Sequence, residues 1–113
     1  MLKKIEAIIR EEKLDPVRIA VEQVGYRGIT VTKVSGRGKQ GGIKLQRRTG
    51  EYSVDLLPKI KIEIVVIAND VPKVVNKIIS IARTGEVGDG KIFILPVENV
   101  IRIRTGDEGE NAI

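Results

Sequence analysis

Lys59-Ile60-Lys61-Ile62-Glu63-Ile64-Val65-Val66-Ile67 reads as a β-strand, with Ile60, Ile62, Ile64 and Val66 on one face. The other face turns from charged (Lys59, Lys61, Glu63) to apolar (Val65, Ile67), which predicts a second half buried on both sides. Downstream, Asn69 or Asp70 offers a helix cap and Pro72 suits a first turn. Val71, Val74, Val75, Ile78 and Ile81 or Ala82 then recur at helical spacing. Ile92 to Leu95 forms another strand-like run, followed by Pro96 and a short β-branched run from Val100 to Ile103. Upstream the same order appears. Leu2 to Ile9 alternates with Ile5, Ala7 and Ile9 inward, Asp15 and Pro16 open a helix faced by Val17, Ala20, Val21 and Val24, Gly25 ends it, and Gly28 to Ser35 is strand-like. Two β-α-β units in tandem predict an α+β fold, a ferredoxin-like split βαβ sandwich forming one domain over residues 1–113. Both helices would cover one sheet face. Burying the other calls for a homo-oligomer packed sheet against sheet.

Between the halves lie the twenty-three residues Gly36 to Pro58, without a sustained period of either kind. A segment that long is uncommon in a compact domain unless it is functional or disordered. It also carries the charge. From Gly36 to Lys61 there are seven basic residues against two acidic ones, so this window holds the whole formal net charge of +5 and the remainder balances. Residues 37–57 are therefore read as a mobile basic interaction loop, and the acidic, glycine-containing stretch 105–113 as a flexible tail.

Composition excludes several chemistries. The chain has no cysteine and no histidine, which removes disulfides, thiolate metal sites and His- or Cys-based catalysis. No apolar run approaches the roughly eighteen residues of a membrane span. Met1 to Glu6 enters a strand at once without an apolar leader region, the pattern of a cytoplasmic protein. An RNA-recognition module on the same sandwich is the competing reading. It wants stacking aromatics, and the chain has only Tyr26, Tyr52 and Phe93, none in a suitable run.

Thr84-Gly85-Glu86-Val87-Gly88-Asp89-Gly90-Lys91-Ile92-Phe93 leads from the second helix into the next strand. Its glycines leave backbone N–H groups uncovered and able to close around an anion. Arg102 and Arg104, two apart, would share one face of a strand and, with Lys91, could clamp a polyphosphate. The plainer reading is a glycine helix cap at Gly85, a tight turn and solvated arginines. The stretch alone leaves both open.

This stretch, with Val100-Ile101-Arg102-Ile103-Arg104-Thr105-Gly106, resembles the C-terminal half of the P-II family of nitrogen-signalling proteins. Ile5-Glu6-Ala7-Ile8-Ile9, Gly28-Ile29-Thr30-Val31-Thr32, Glu51-Tyr52 and Leu57 to Val66 are similar to that family in the same order, so the resemblance spans essentially the whole chain. It implies a non-catalytic homotrimeric regulator with ATP or ADP in the cleft between neighbouring subunits. The positions matching its nucleotide contacts are Thr30, Gly38, Lys39 and Val65 on one side and Gly88, Asp89, Gly90, Lys91, Arg102 and Arg104 on the phosphate side. It further implies 2-oxoglutarate at the base of the long loop, bound through Mg²⁺ held by the ATP phosphates and Gln40 and paired with Lys59. From spacing alone Gln40 reads as a solvated loop residue and Lys59 as a strand-edge charge. The implied partners are an ammonium channel, through which alone the protein would meet a membrane, and glutamine synthetase or its modifying enzymes. Nucleic acid is not among them. Tyr52 matches the tyrosine that is uridylylated or adenylylated in the family, although Arg47-Arg48-Thr49-Gly50-Glu51-Tyr52 departs from the common Tyr-Arg-Gly-Ala-Glu-Tyr. Glu11-Glu12 stands where Pro-Phe is usual, and its negative charge would lower affinity for a dianion nearby.

Overall fold

The computed structural model describes residues 1–37, 43–47, 50–54 and 56–113, with side chains described for 1–37 and 56–113. Strands β1 (Leu2–Ile9), β2 (Thr30–Gly36), β5 (Leu57–Ile67) and β6 (Lys91–Val97) form one antiparallel sheet in the order β2-β5-β1-β6. Helices α1 (Leu14–Gln23) and α2 (Val71–Ala82) pack together on one face. This is the expected split βαβ sandwich.

The alternation read from Lys59 to Ile67 fixes which face is covered. Ile60, Ile62, Ile64 and Val66 are buried with Ile5, Ala7 and Ile9 of β1, and with Val17 and Val21 of α1 and Val74, Ile78 and Ala82 of α2. Each fully buried isoleucine or valine contributes about 1.5–3 kcal/mol, so this aliphatic row dominates the core. The opposite face carries an ion-pair chain in which Lys4 bridges Glu6 at 3.1 Å and Glu63 at 3.0 Å. Val65 and Ile67 stay half-buried on that face, because no second layer lies over it among the described residues.

Several local expectations change. Asp15 and Asp70 cap no N–H group, because 3₁₀ turns at Glu11–Lys13 and Ala68–Asp70 lead straight into the helices. Asp15 pairs with Arg18 at 3.1 Å instead. The segment between β2 and β5, read as having no period, contains an antiparallel hairpin of β3 (Ile43–Arg47) and β4 (Gly50–Val54). Strand β6 continues through Pro96, which an edge strand tolerates because only one side is paired.

Val100 to Ile103 is not a strand, which corrects the placement of both arginines on one strand face. A single bridge joins Ile101 to Glu108, and the chain reverses between them through Gly106 at φ +74°. Arg102 N–H donates to the Asp107 carbonyl at 2.9 Å, and Gly106 N–H donates to the Arg102 carbonyl at 2.7 Å. The turn at Ile103-Arg104-Thr105, closed by that second bond, stops the alternation. The tail follows as a 3₁₀ turn, Gly109–Ala112, tied back where the Asn99 side-chain oxygen accepts from Gly109 N–H at 3.1 Å.

Tyr26 joins the elements at one end of the sheet. Its hydroxyl donates to Asp70 and accepts from Ile67 N–H at 3.1 Å, and burial, followed by the bond to Asp70, raises its pKa. Tyr26→Phe removes both bonds and strands two polar groups, so it should lower unfolding free energy by about 1–2 kcal/mol with an unchanged slope in urea denaturation.

Candidate functional site

At the end of α2, Arg83 is already extended, and Thr84 to Gly90 make a turn that delivers Lys91 into β6. The turn does close around an anion, but the anion is its own. One Asp89 oxygen accepts from the N–H groups of Thr84 and Gly85, each at 2.9 Å, and the other accepts from the Thr84 hydroxyl. Those donors, the hydroxyl foremost, together with Arg10, hold the Asp89 carboxyl well below the usual carboxylate range. Gly85 therefore serves this ring and not a helix cap. Gly90 is required by contact as well as by its φ of +97°. A Cβ there would lie 1.7 Å from the Ile8 carbonyl oxygen.

Two cations hold the middle of the turn. The Arg10 guanidinium donates to the Val87 carbonyl at 2.7 Å and pairs with Asp89 at 3.3 Å, while the Lys59 ammonium donates to the Gly88 carbonyl. Lys59 was among the expected site residues, and Arg10 was not. The available signal for Arg10 was its place one residue past β1, on the charged face of the strand.

The remaining expected residues are spread along the sheet and past its end. Thr30, at the start of β2, pairs with Glu63, and Val65 pairs with Lys4. Lys91 pairs with Ile8 at the end that holds the glycine turn, whereas Val97 pairs with Leu2 at the other. Six strand steps separate them, about 20 Å. Arg102, half-buried, and Arg104, exposed, follow Val97 in the chain. Gly38, Lys39, Gln40 and Arg48 lie outside the described residues, as do the side chains of Arg47 and Tyr52.

Beside Gly90 and Lys91 a cavity of about 400 Å³ opens between β6 and α2, walled by Ile8, Ile78, Ala82 and Ile92. Its apolar walls and the lysine at its rim suit a ligand with a flat or apolar body and an anionic end. Among the described residues no group of three or more acidic side chains is placed to hold a metal ion, and the Asp89 carboxylate is fully engaged. Of the described aromatics, Tyr26 is committed to Asp70 and Ile67, leaving Phe93, about half exposed, on the uncovered sheet face.

The profile of the family described as nitrogen regulatory protein P-II matches residues 2–107. A nitrogen regulatory protein P-II of Nostoc punctiforme is 56% identical over 112 residues, covering 99% of this chain and 100% of that protein. A nitrogen regulatory protein P-II 2 of Methanothermobacter thermautotrophicus is 54% identical, covering 99% and 97%. Among solved structures, Arabidopsis thaliana PII bound to citrate superposes with a TM-score of 0.80 at 44% identity, covering 98% of this chain and 88% of that one.

The depressed Asp89 pKa has a defined consequence for stability. Its contribution is present in full above the ordinary carboxylate range near about pH 4 and is lost as pH falls through the lower folded value. Asp89→Asn should therefore destabilise the protein at neutral pH and reduce the loss of melting temperature seen on acidification from the wild-type level.

Proposed function

This chain belongs to the nitrogen regulatory protein P-II family, whose members are signalling proteins and not enzymes, and from that premise we propose that it senses adenine nucleotide and 2-oxoglutarate and reports them to nitrogen-assimilation targets. The reading takes the protein as a homotrimer in the cytoplasm. ATP or ADP lies in the cleft between subunits, with the Gly88 to Lys91 turn from one copy and Arg102 and Arg104 from its neighbour. The observation that carries it is the run of β6, about 20 Å from Lys91 to Val97, with Arg102 and Arg104 following only after Val97. The clamp is completed when the C-terminal hairpin of a second copy meets the glycine-turn end of the first. The half-buried apolar groups of the uncovered sheet face support the same association.

Lys91, Arg102 and Arg104 would neutralise the phosphates, Thr30 and Val65 would flank the nucleoside, and Gly38 and Lys39 would close over it. Mg²⁺, when bound, supplies charge neutralisation between nucleotide phosphates and a carboxylate effector, with Gln40 as its protein ligand. That assignment fits a turn whose Asp89 carboxylate is already engaged. Lys59 would pair with 2-oxoglutarate, and citrate bound to the Arabidopsis relative supports a small polycarboxylate as the effector class. Loop residues 37–57 would then adopt different arrangements with each ligand set, offering or withdrawing a basic surface to an ammonium channel, glutamine synthetase or its modifying enzymes. Tyr52 is the position to examine for uridylylation or adenylylation.

Lys91→Ala and Arg102→Ala should each abolish most ATP binding in calorimetry. If the site is shared between copies, unfolding and refolding the two variants together will restore part of it, because some interfaces then join an intact lysine to an intact arginine pair. Mixtures that remain inactive would place the whole site on one chain. Separately, 2-oxoglutarate should bind tightly only with ATP and Mg²⁺ present. Equal affinity without nucleotide would rule out the shared metal.

A further inference from the structure

Arg10 stands one position past the Ile9–Ile60 pair, which places it across the strands from Lys59. Like charges facing each other across neighbouring strands repel, so their proximity needs shared acceptors. Both find them in the glycine turn. The Arg10 guanidinium bonds the Val87 carbonyl and Asp89, Lys59 bonds the Gly88 carbonyl, and a Cβ on Gly88 would come within 3.2 Å of Arg10 Nη2. Asp89 is in turn tied to the start of the turn through Thr84 and Gly85. Arg10 therefore connects the end of β1 to both limbs of the turn, and the Ile8–Lys91 ladder pair makes a second attachment beside it.

We propose that Arg10 is a positioning residue for polyphosphate binding, which acts through Asp89 to hold the glycine turn so that its backbone N–H groups and the Lys91 ammonium meet one phosphate chain. The inference rests on the nucleotide reading above. The turn bends at three glycines of positive φ, where the backbone resists displacement least. A turn not fixed to β1 would have to be ordered by the ligand itself, and that ordering weakens binding. The Asp89 carboxylate would repel a phosphate if left alone. Its charge is tolerable there because Arg10 and the Thr84 and Gly85 donors share it.

The test titrates ATP and AMP, each with Mg²⁺, into the full chain and into Arg10→Gln, Arg10→Lys, Asp89→Asn and the double variants. Arg10→Gln should weaken ATP by about tenfold or more, as expected for one charge-assisted contact, and AMP by clearly less. Arg10→Lys should recover part of the loss. The effects of Arg10→Gln and Asp89→Asn should fall well short of additive, because each breaks the same link. Amide exchange at residues 85–90 should quicken in Arg10→Gln while core amides keep their rates. Unchanged ATP affinity, equal losses for ATP and AMP, or fully additive effects would overturn the proposal. If Arg10→Gln does not fold, the cycle of Arg10→Lys with Asp89→Asn tests the same link by the same criterion of additivity. A wild-type chain binding neither nucleotide would instead overturn the nucleotide reading beneath it.

Discussion

Burial of one face of β5 is the constraint on which the rest of this structure depends. With Ile60, Ile62, Ile64 and Val66 pressed against the helices, the strand period of two commits Lys59, Lys61 and Glu63 to the opposite face. A slip of one residue would drive three charges into an aliphatic core, so the register is held strongly. The same register sets Lys59 at the end of the sheet where the glycine turn passes, and there its ammonium finds the Gly88 carbonyl. Core packing and the placement of the site are two results of one alternation.

Electrostatics then shape what the core leaves exposed. The uncovered face could not carry charges of one sign, and Lys4 between Glu6 and Glu63 with Lys61 beside them keeps it balanced. Such half-exposed pairs add little stability, but they decide which surfaces can lie against that face. The glycine turn is organised differently. A single carboxylate collects a hydroxyl, two amides and a guanidinium, so a segment rich in glycine gains a defined shape from polar contacts within it and to β1.

On the reading proposed above, Lys91 and the Arg102–Arg104 pair of different copies hold one phosphate chain, which links this geometry to signalling. A site so shared would exist only in the assembled protein, and its occupancy would depend on how the copies meet. Effector and nucleotide can then be coupled through the common turn and loop without any chemical step. The chain has neither histidine nor cysteine, which suits a protein that binds and reports.

Much of this was legible in the order of residues. Periods of 2 and 3.6 placed the four sheet strands and both helices, and the repeat of β-α-β gave the sandwich, because apolar spacing directly records which side of an element is buried. The glycines of 84–90 and the run of basic residues marked the candidate functional segments for equally local reasons. What the order of residues could not decide was anything that depends on a distant partner. Nothing in the spacing announced that Asp89 is gripped by Thr84 and Gly85 of its own turn, or that Arg10, unmarked by any motif, is its partner from seventy-nine positions away. The arginine pair read as a strand, until the turn at Gly106 and the bridge to Glu108 reversed the chain. Local spacing determined the elements and the types of charge. Only the folded sheet decided which charges stand together, because a strand's length separates groups that lie close in sequence and its register joins groups that do not.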